Sequence, residues 1–292
     1  MILITGSNGL LGQKLVKHLI KNNIPFIATS KGKNRNPDCS NNFYHSLDIC
    51  LQEEIENVFS TFNPTHIIHT AAMTNVDECE EFPLECEKLN VTATQLLFDA
   101  SQKIGAHFQL LSTDFVFDGL KGNYSETDSP NPLSIYANSK VAAEKLVSKA
   151  NYSNFSIVRT IILYGTANNL SRTNIVCWAK DALSNGQPMT IIDDQFRSPT
   201  WADDLAWACI RICDLQKTGI YHIAGPETMS IYDLVLRIAK FYSFSTEFLT
   251  KTDSLSLNQK AKRPPKTGFN LQKAQSELSY KPKTLEETLK EL

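Results

Sequence analysis

The sequence predicts an α/β fold built on a doubly wound parallel sheet, with a smaller, irregular C-terminal region. The first observation is that short apolar runs alternate with longer amphipathic stretches as far as Arg159. The second is a glycine-punctuated turn between the first apolar run and the first amphipathic stretch, and the third is that the alternation loosens beyond Gly165. Alternating strands and helices form βαβ units, in which helices cover both faces of a parallel sheet.

The individual elements follow the order expected of such units. Apolar runs predict strands at residues 2–4, 25–28, 65–69, 107–111 and 156–159. Amphipathic stretches predict helices at residues 10–20, about 83–104 and about 135–150. Residues 188–192 and 220–223 are predicted as short strands separated by a helix at 203–213. The polar tail at about 243–283 contains Pro264, Pro265 and Pro282, and we expect it to be irregular and packed against the first domain.

Composition and charge exclude several classes of protein. The 292 residues include 29 Lys and Arg against 31 Asp and Glu, a formal net charge of -2. No basic excess is available to neutralise a run of phosphates, so nucleic acid is not an expected partner. No window approaches the roughly 20 apolar residues of a membrane span, and the amino terminus lacks the pattern of a secretory signal. We expect a cytoplasmic protein that does not bind membranes.

The seven cysteines form no Cys-x-x-Cys pair and lie near no histidine cluster of the kind that zinc requires. Cys209 and Cys213 are four residues apart in an apolar helical stretch, where a free cysteine packs as a small hydrophobic side chain. The sequence therefore predicts reduced thiols and no metal site.

The glycine-rich turn lies where the first strand meets the first helix. Gly6, Gly9 and Gly12 give the spacing Gly-x-x-Gly-x-x-Gly, which lets a ligand approach the backbone closely. A pyrophosphate at this point meets unpaired N–H groups and the positive end of the helix dipole. A plain structural turn is the alternative, but the position after a first strand favours a dinucleotide site. The expected cofactor contacts in this turn are Gly6, Asn8, Gly9, Leu10, Leu11 and Gly12.

The segment after the second strand favours NADPH over NADH. An NAD enzyme of this architecture usually places a carboxylate there for the ribose hydroxyl, but the chain runs Thr-Ser-Lys-Gly-Lys-Asn-Arg at residues 29–35. Lys31, Lys33 and Arg35 are suited to a 2′-phosphate through charge-assisted hydrogen bonds, with Ser30 as a neutral donor. A solvated basic loop is the alternative interpretation.

A catalytic set follows the nucleotide turn in the chain. Thr113 follows the strand predicted at 107–111, at the edge of the sheet where such folds bind ligands. Tyr136 and Lys140 are one turn apart at the start of a predicted helix. A phenol donates or recovers a proton more readily at neutral pH if a neighbouring ammonium stabilises its anion. Tyr136 taken alone is equally consistent with an ordinary amphipathic surface residue, and its neighbours in this order favour catalysis.

These motifs resemble the extended short-chain dehydrogenase/reductase superfamily, and within it the dTDP-4-dehydrorhamnose reductase family. The resemblance spans nearly the whole chain, and residues 112–119, Ser-Thr-Asp-Phe-Val-Phe-Asp-Gly, form its most family-specific motif. It also includes residues 6–12, 48–49, 71–77, 90–91, 136–140, 194–196, 199–200 and 263–264. It implies hydride transfer from NADPH, or alternatively NADH, to the C4 keto group of a nucleotide-linked 4-keto-6-deoxysugar. We expect a Rossmann-type NAD(P)-binding domain at 1–165, to which 195–222 returns, and a mainly substrate-binding region at 166–292.

The resemblance implies roles for individual residues. Thr113, Tyr136 and Lys140 form the implied catalytic trio, with Tyr136 as the acid and Lys140 also holding the nicotinamide ribose. The further implied cofactor contacts are Asp48 and Ile49 at the adenine, Ala71, Ala72 and Met73 at the middle of the cofactor, and Asn90 in the water and backbone network. The expected substrate contacts are Thr74, Val76, Thr113, Asp114, Tyr136, Arg197 and Arg263, of which Thr74 and Val76 match positions that line the sugar pocket in that family. For Arg197, contact with a diphosphate and the capping of a surface loop are both open.

The chain departs from this family at three places. Arg197 and Ser198 follow residues 194–196 where the closest pattern has small residues. Ile162 stands where the family often has a tryptophan, which removes a sugar-stacking surface. Lys14 stands where some members have a carboxylate that helps to share magnesium between subunits, so we expect no metal and a monomer or weak homodimer. The alternatives are a nucleotide-sugar epimerase or dehydratase of the same superfamily, and a non-catalytic NADP-binding regulatory subunit of methionine adenosyltransferase.

Overall fold

The chain folds into alternating strands and helices, which a computed structural model describes for residues 1–257 and 259–292. The strands are β1 Ile2–Thr5, β2 Phe26–Ser30, β3 Tyr44–Ser46, β4 His66–His69, β5 His107–Thr113, β6 Phe155–Thr160, β7 Leu163–Tyr164, β8 Met189–Ile192, β9 Phe196–Arg197, β10 Thr200–Trp201, β11 Gly219–Ile223, β12 Met229–Ser230 and β13 Leu249–Thr252. The helices are α1 Leu10–Lys21, α2 Gln52–Phe62, α3 Val76–Glu81, α4 Pro83–Glu87, α5 Ala93–Lys103, α6 Ile135–Ser148, α7 Ile175–Ser184, α8 Ala202–Asp214, α9 Ile231–Tyr242, α10 Gln272–Leu278 and α11 Leu285–Leu289.

The central sheet has seven parallel strands in the order β11-β6-β5-β4-β1-β2-β3. β1 pairs with β2 on one side and with β4 on the other, so the strand order reverses at β1. Such a reversal opens a crevice at the carboxyl ends of the strands, where ligands bind in folds of this kind. The predicted α/β fold with a doubly wound parallel sheet is confirmed.

Apolar side chains cover both faces of this sheet. Ile2 and Ile4 pack in one core with residues of α1 and α8, whereas Leu3 between them packs in another core with residues of α2 and α5. Successive residues of a strand point to opposite faces, so a strand buried on both faces needs an unbroken apolar run. This requirement explains why the strands of the first domain can be predicted from apolar runs in the sequence.

The last part of the chain divides between this sheet and a second core. α8 packs on α1, and β11 pairs with β6. The second core contains α7, α9 and α11 together with the paired strands β8 and β13. Sequence reasoning did not predict α7 or α9, although the apolar residues of α9 recur at helical spacing. The buried residues of α9 are Ile231, Leu234, Val235, Ile238 and Ala239.

Two elements of the first domain also differ from the expectation. The long helix expected at about 83–104 is interrupted, because a π-helical turn at Lys88–Thr92 joins α4 to α5. Such turns are frequent near functional sites. Helix α2 was not predicted, and its C-terminal residue is followed by Asn63 in the left-handed conformation, φ 42°.

All seven cysteines are free, and Cys209 and Cys213 are buried in the core that includes α8. Within residues 1–257 and 259–292, no helix is long and apolar enough to cross a membrane.

Candidate active site

A cleft of about 820 Å³ lies at the carboxyl edge of the sheet. Its walls come from the ends of β1, β2, β4 and β5 and from the starts of α1 and α6. The residues that were expected to bind cofactor or substrate and that line it are Gly6, Asn8, Gly9, Leu10, Leu11, Gly12, Ser30, Lys31, Arg35, Asp48, Ile49, Ala71, Ala72, Thr74, Val76, Thr113, Asp114, Tyr136 and Lys140. The expected residues that lie outside it are Met73, Asn90, Arg197 and Arg263.

The turn between β1 and α1 forms one wall of the cleft. Gly6 has a φ of 70°, and a Cβ built on it would lie 2.7 Å from the Thr70 hydroxyl. A Cβ on Gly12 would collide with the Gly6 carbonyl oxygen. Gly9 precedes α1 without a capping side-chain hydrogen bond, and the first turn of the helix contains no acidic residue. The N–H groups at this helix end are therefore free to bind an anion, so the turn fits the diphosphate of a dinucleotide.

The loop after β2 forms a second, basic wall. Ser30 Oγ accepts a hydrogen bond from the backbone of the glycine turn at 3.0 Å. Lys31 and Arg35 line the cleft, whereas Lys33 does not. The Lys31 ammonium lies 2.8 Å from the Asp48 carboxylate. A carboxylate therefore stands at this wall, although none follows β2 directly in the sequence, because the chain after β3 brings Asp48 back beside β2.

Thr113, Tyr136 and Lys140 meet in the cleft. Thr113 ends β5, and Tyr136 and Lys140 lie one turn apart at the start of α6. Ser134 caps this helix, because its hydroxyl accepts a hydrogen bond from Ala137 N at 3.2 Å. Thr113, Tyr136 and Lys140 are buried, and their exposed fractions are only 7%, 8% and 4%, respectively. The end of β5 and the start of α6 thus place a hydroxyl, a phenol and an ammonium at the same edge of the sheet.

Burial changes the acid–base properties of this trio. It raises the pKa of the Tyr136 phenol, an effect that the Thr113 hydroxyl opposes. It lowers the pKa of Lys140 to about 8, an effect that the Glu144 carboxylate opposes. At neutral pH the phenol holds its proton while most of the ammonium stays charged. The phenol is thus in the protonated form that a proton donor needs, and the ammonium belongs to the residue one turn further along α6.

Asn90 and Met73 lie behind the cleft and support it. Asn90 Oδ1 accepts a hydrogen bond from Met73 N at 2.8 Å, and Asn90 Nδ2 donates to Met73 O at 3.0 Å. The same amide donates to Ser139 Oγ on α6 at 2.9 Å. The π-helical turn at Lys88–Thr92 thus aims one side chain at both the segment after β4 and the helix that carries Tyr136.

Arg197 and Arg263, which were expected to bind substrate, are not among the residues that line the cleft. Arg197 is 1% exposed, donates to Pro264 O at 2.6 Å and lies 3.6 Å from the Asp114 carboxylate. Arg263 lies 2.6 Å from the carboxylate of Asp77. Protein oxygens already hold both guanidinium groups, so these arginines join the C-terminal segment to the rest of the chain.

Sequence reasoning missed residues 168–174, which connect β7 to α7 and which we call the strap. The Arg172 guanidinium donates a hydrogen bond to the Thr74 hydroxyl, which belongs to the segment after β4. The strap has neither periodicity nor a recognisable motif, so no signal in the sequence places it at the site. The strap residues that line the cleft are Leu170, Ser171, Arg172, Thr173 and Asn174.

The chain is similar in sequence to proteins of known families. It matches the RmlD substrate binding domain over residues 1–292. It is 28% identical to a dTDP-4-dehydrorhamnose reductase of Aggregatibacter actinomycetemcomitans, over 100% of this chain and 97% of that protein. It is 29% identical to methionine adenosyltransferase 2 subunit beta of Danio rerio, over 90% of this chain and 80% of that protein.

Solved structures resemble the fold along its whole length. A dTDP-4-dehydrorhamnose reductase of Clostridium acetobutylicum superposes with a TM-score of 0.87 at 29% identity, covering 99% of this chain and 97% of that one. The corresponding reductase of Bacillus anthracis, solved in complex with NADP, superposes with a TM-score of 0.85 at 25% identity, with 99% and 97% covered.

Proposed function

The chain belongs to the RmlD substrate-binding domain family, and we propose that it reduces the C4 keto group of a nucleotide-linked 4-keto-6-deoxysugar with NADPH. The observation that carries this proposal is a cleft that contains both the open helix end at Gly9 and the buried pair of Tyr136 and Lys140. Similarity to proteins named dTDP-4-dehydrorhamnose reductase supports a sugar nucleotide as the substrate.

The dinucleotide, when bound, supplies the hydride. The N–H groups that follow Gly9 would hold its diphosphate, and Asp48 and Ile49 would flank the adenine. Ala71 and Ala72 contact the middle of the cofactor. What supports this arrangement is that all five residues line the same cleft, on the walls formed by the ends of β1, β3 and β4.

Tyr136 is the proton donor in this proposal. Its phenol is protonated at neutral pH and gives its proton to the oxygen that becomes an alcohol at C4. The Lys140 ammonium stabilises the phenolate that remains, and the Thr113 hydroxyl holds the reacting oxygen beside the phenol. A positioned general acid of this kind contributes about 10²- to 10⁴-fold to a rate.

NADPH is the proposed cofactor because Lys31 and Arg35 both line the wall where the adenosine ribose lies. A 2′-phosphate carries close to two negative charges and accepts several charge-assisted hydrogen bonds, whereas a ribose hydroxyl makes only neutral ones. Lys31 exchanges its contact with Asp48 for the phosphate, and Arg35 adds a second guanidinium contact.

A second candidate is a non-catalytic, NADP-binding regulatory subunit. Similarity to methionine adenosyltransferase 2 subunit beta favours it, at an identity as high as that to the reductase. The trio of Thr113, Tyr136 and Lys140 is complete and buried in the cleft, and this favours catalysis over regulation.

Loss of the nicotinamide absorbance in the presence of a dTDP-linked 4-keto-6-deoxysugar tests the proposal. We expect turnover by the wild-type protein and a fall of about 10²- to 10⁴-fold in kcat for Tyr136→Phe, with NADPH binding retained. Tyr152→Phe is the matched control, because Tyr152 donates to Ala106 O away from the cleft. An unchanged rate in Tyr136→Phe would refute the acid role, and a wild-type protein that turns over no keto sugar would favour the regulatory subunit.

A further inference from the structure

One side-chain amide fastens the strap to the cofactor half of the cleft. Gln13, on α1, donates from Nε2 to Asn168 O at 2.7 Å and accepts at Oε1 from Asn168 N at 2.9 Å. The same Nε2 donates to Asn8 O in the glycine turn at 3.1 Å. Gln13 is 5% exposed and does not line the cleft. Two bonds to the backbone of one residue fix the direction of the strap as well as its position, because they hold the chain at two successive peptide units.

The strap is held at both ends by further hydrogen bonds. Asn169 Nδ2 donates to Arg35 O at 3.0 Å, which joins the strap to the basic wall. At the other end, Asn174 Nδ2 donates to Gly165 O at 2.8 Å, and its Oδ1 accepts from Cys177 N at 3.1 Å in the first turn of α7. Residues 170–173 therefore lie beside the cleft between two anchored ends.

Arg172 carries a positive charge to the substrate side of the catalytic trio. Its guanidinium donates to the neutral hydroxyl of Thr74, and its charge acts on Tyr136, where it opposes the effect of burial on the phenol pKa. A guanidinium binds a phosphate more strongly than a hydroxyl, because the phosphate adds the attraction of opposite charges and offers oxygens for two parallel N–H···O bonds. Arg172 is thus placed to exchange Thr74 for an anionic group of the substrate.

We propose that Gln13 is a positioning residue for substrate binding, which holds the strap so that Arg172 binds the diphosphate of the sugar nucleotide. The identity of this substrate rests on the function proposed above. Gln13 reaches the substrate side through Asn168 and the strap, so its loss is expected to weaken the binding of a nucleoside diphosphate and to spare the chemical step. Its third hydrogen bond, to Asn8 O, lies on the cofactor side, and NADPH is therefore present throughout the test. The residue is part of the cofactor-binding helix, yet it controls the other ligand.

Two readouts that need no turnover test this role in Gln13→Met, with NADPH present. Titration calorimetry with dTDP and with UDP is expected to give a Kd at least about tenfold weaker than that of wild type, since methionine cannot make the two hydrogen bonds that hold Asn168. Trypsin is expected to cut the Arg172–Thr173 bond at least about fivefold faster, because the released strap exposes it to the protease. If the keto sugar is a substrate, KM rises while kcat changes by less than about twofold.

Matched variants keep the test decisive. Gln187→Met, at an exposed position away from the cleft, is expected to match wild type in both readouts. Asn169→Gly preserves the positive φ of 51° and removes only the exposed bond to Arg35, so it gives a smaller effect of the same sign even if Gln13→Met fails to fold. Arg172→Gln is expected to weaken both nucleotides at least about tenfold.

Three outcomes would overturn the proposal. The first is wild-type affinity for both nucleotides in Arg172→Gln. The second is weakened binding in Arg172→Gln together with wild-type affinity and wild-type cleavage in Gln13→Met and Asn169→Gly. The third is a wild-type protein that binds neither dTDP nor UDP. None of these outcomes depends on reductase activity. The absence of turnover would therefore count against the proposed function, whereas these outcomes would count against the role of Gln13 and the strap.

Discussion

Arg159 Nη2 lies 2.6 Å from Glu144 Oε2, and both side chains are almost completely buried. Arg159 Nε also donates to Glu144 Oε1 at 2.9 Å, and the Ser112 hydroxyl donates to the same oxygen at 2.5 Å. Glu144 lies one turn after Lys140 on α6, whereas Arg159 belongs to β6. This pair therefore ties the helix that carries Tyr136 and Lys140 to the central sheet.

We expect Arg159→Met to lower the free energy of unfolding by about 3–5 kcal/mol, because it leaves the Glu144 carboxylate buried without its partner. Urea denaturation at neutral pH measures this loss. Arg237→Met is the matched control, since Arg237 forms a partly exposed pair with Glu286 at 2.5 Å, and such pairs contribute about 1 kcal/mol or less. Equal losses in the two variants would contradict a special role for the buried pair.

The ammonium of Lys140 predicts a pH dependence of stability. Its pKa is about 8 in the folded protein against an ordinary value of 10.5, so between these two pH values the unfolded chain binds more protons than the folded one. The free energy of unfolding contributed by this group therefore rises with pH through that window, by about 3 kcal/mol in all. Below pH 8 both states are protonated, and the cost of burying the charge is present in full.

Urea denaturation of wild type and Lys140→Met at pH 7, 8.5 and 10 measures this effect as a difference between the two proteins. We expect wild type to gain stability relative to Lys140→Met as the pH rises. Lys145→Met, on the exposed face of the same helix, is expected to differ from wild type by the same amount at all three pH values. A difference for Lys140→Met that does not change with pH would show that its ammonium is not buried at a cost.

The basic wall predicts the cofactor preference. Arg35→Ala is expected to weaken NADPH about tenfold and NADH by less than about twofold, because only NADPH offers a 2′-phosphate to the guanidinium. Fluorescence titration of both cofactors measures the two constants. Lys33→Ala is the matched control, since Lys33 is an exposed cation of the same loop that does not line the cleft. Equal weakening of NADH and NADPH in Arg35→Ala would remove the argument for NADPH.

Much of the nucleotide half of the cleft could be predicted from the sequence. The turn at Gly6, Gly9 and Gly12 could be predicted because its backbone geometry depends on neighbours within a few residues. The pair of Tyr136 and Lys140 was legible because helical spacing alone places the two side chains one turn apart. The apolar residues of α9 also recur at helical spacing, yet this helix was not predicted, because it lies in a stretch where strands and helices do not alternate regularly.

The charged residues of the site show where such reasoning ends. Arg197 follows a motif of the family, but the structure buries it against Pro264 and Asp114. Asp48 faces Lys31 although nothing after β2 in the sequence suggests a carboxylate there. A long charged side chain has several partners within reach, and burial and competing hydrogen bonds decide among them.

The sequence by itself determined the parallel sheet, the glycine turn after β1 and the placing of Tyr136 and Lys140 one turn apart, because each depends on short-range periodicity or on the conformations open to one residue. Only the tertiary structure decided that Arg172, and not Arg197 or Arg263, reaches the cleft. One of the contacts that hold the strap is made by Gln13, whose amide bonds to Asn168 at a distance of 155 residues in the chain. Contacts of that range arise from how the elements pack, and no local pattern records them.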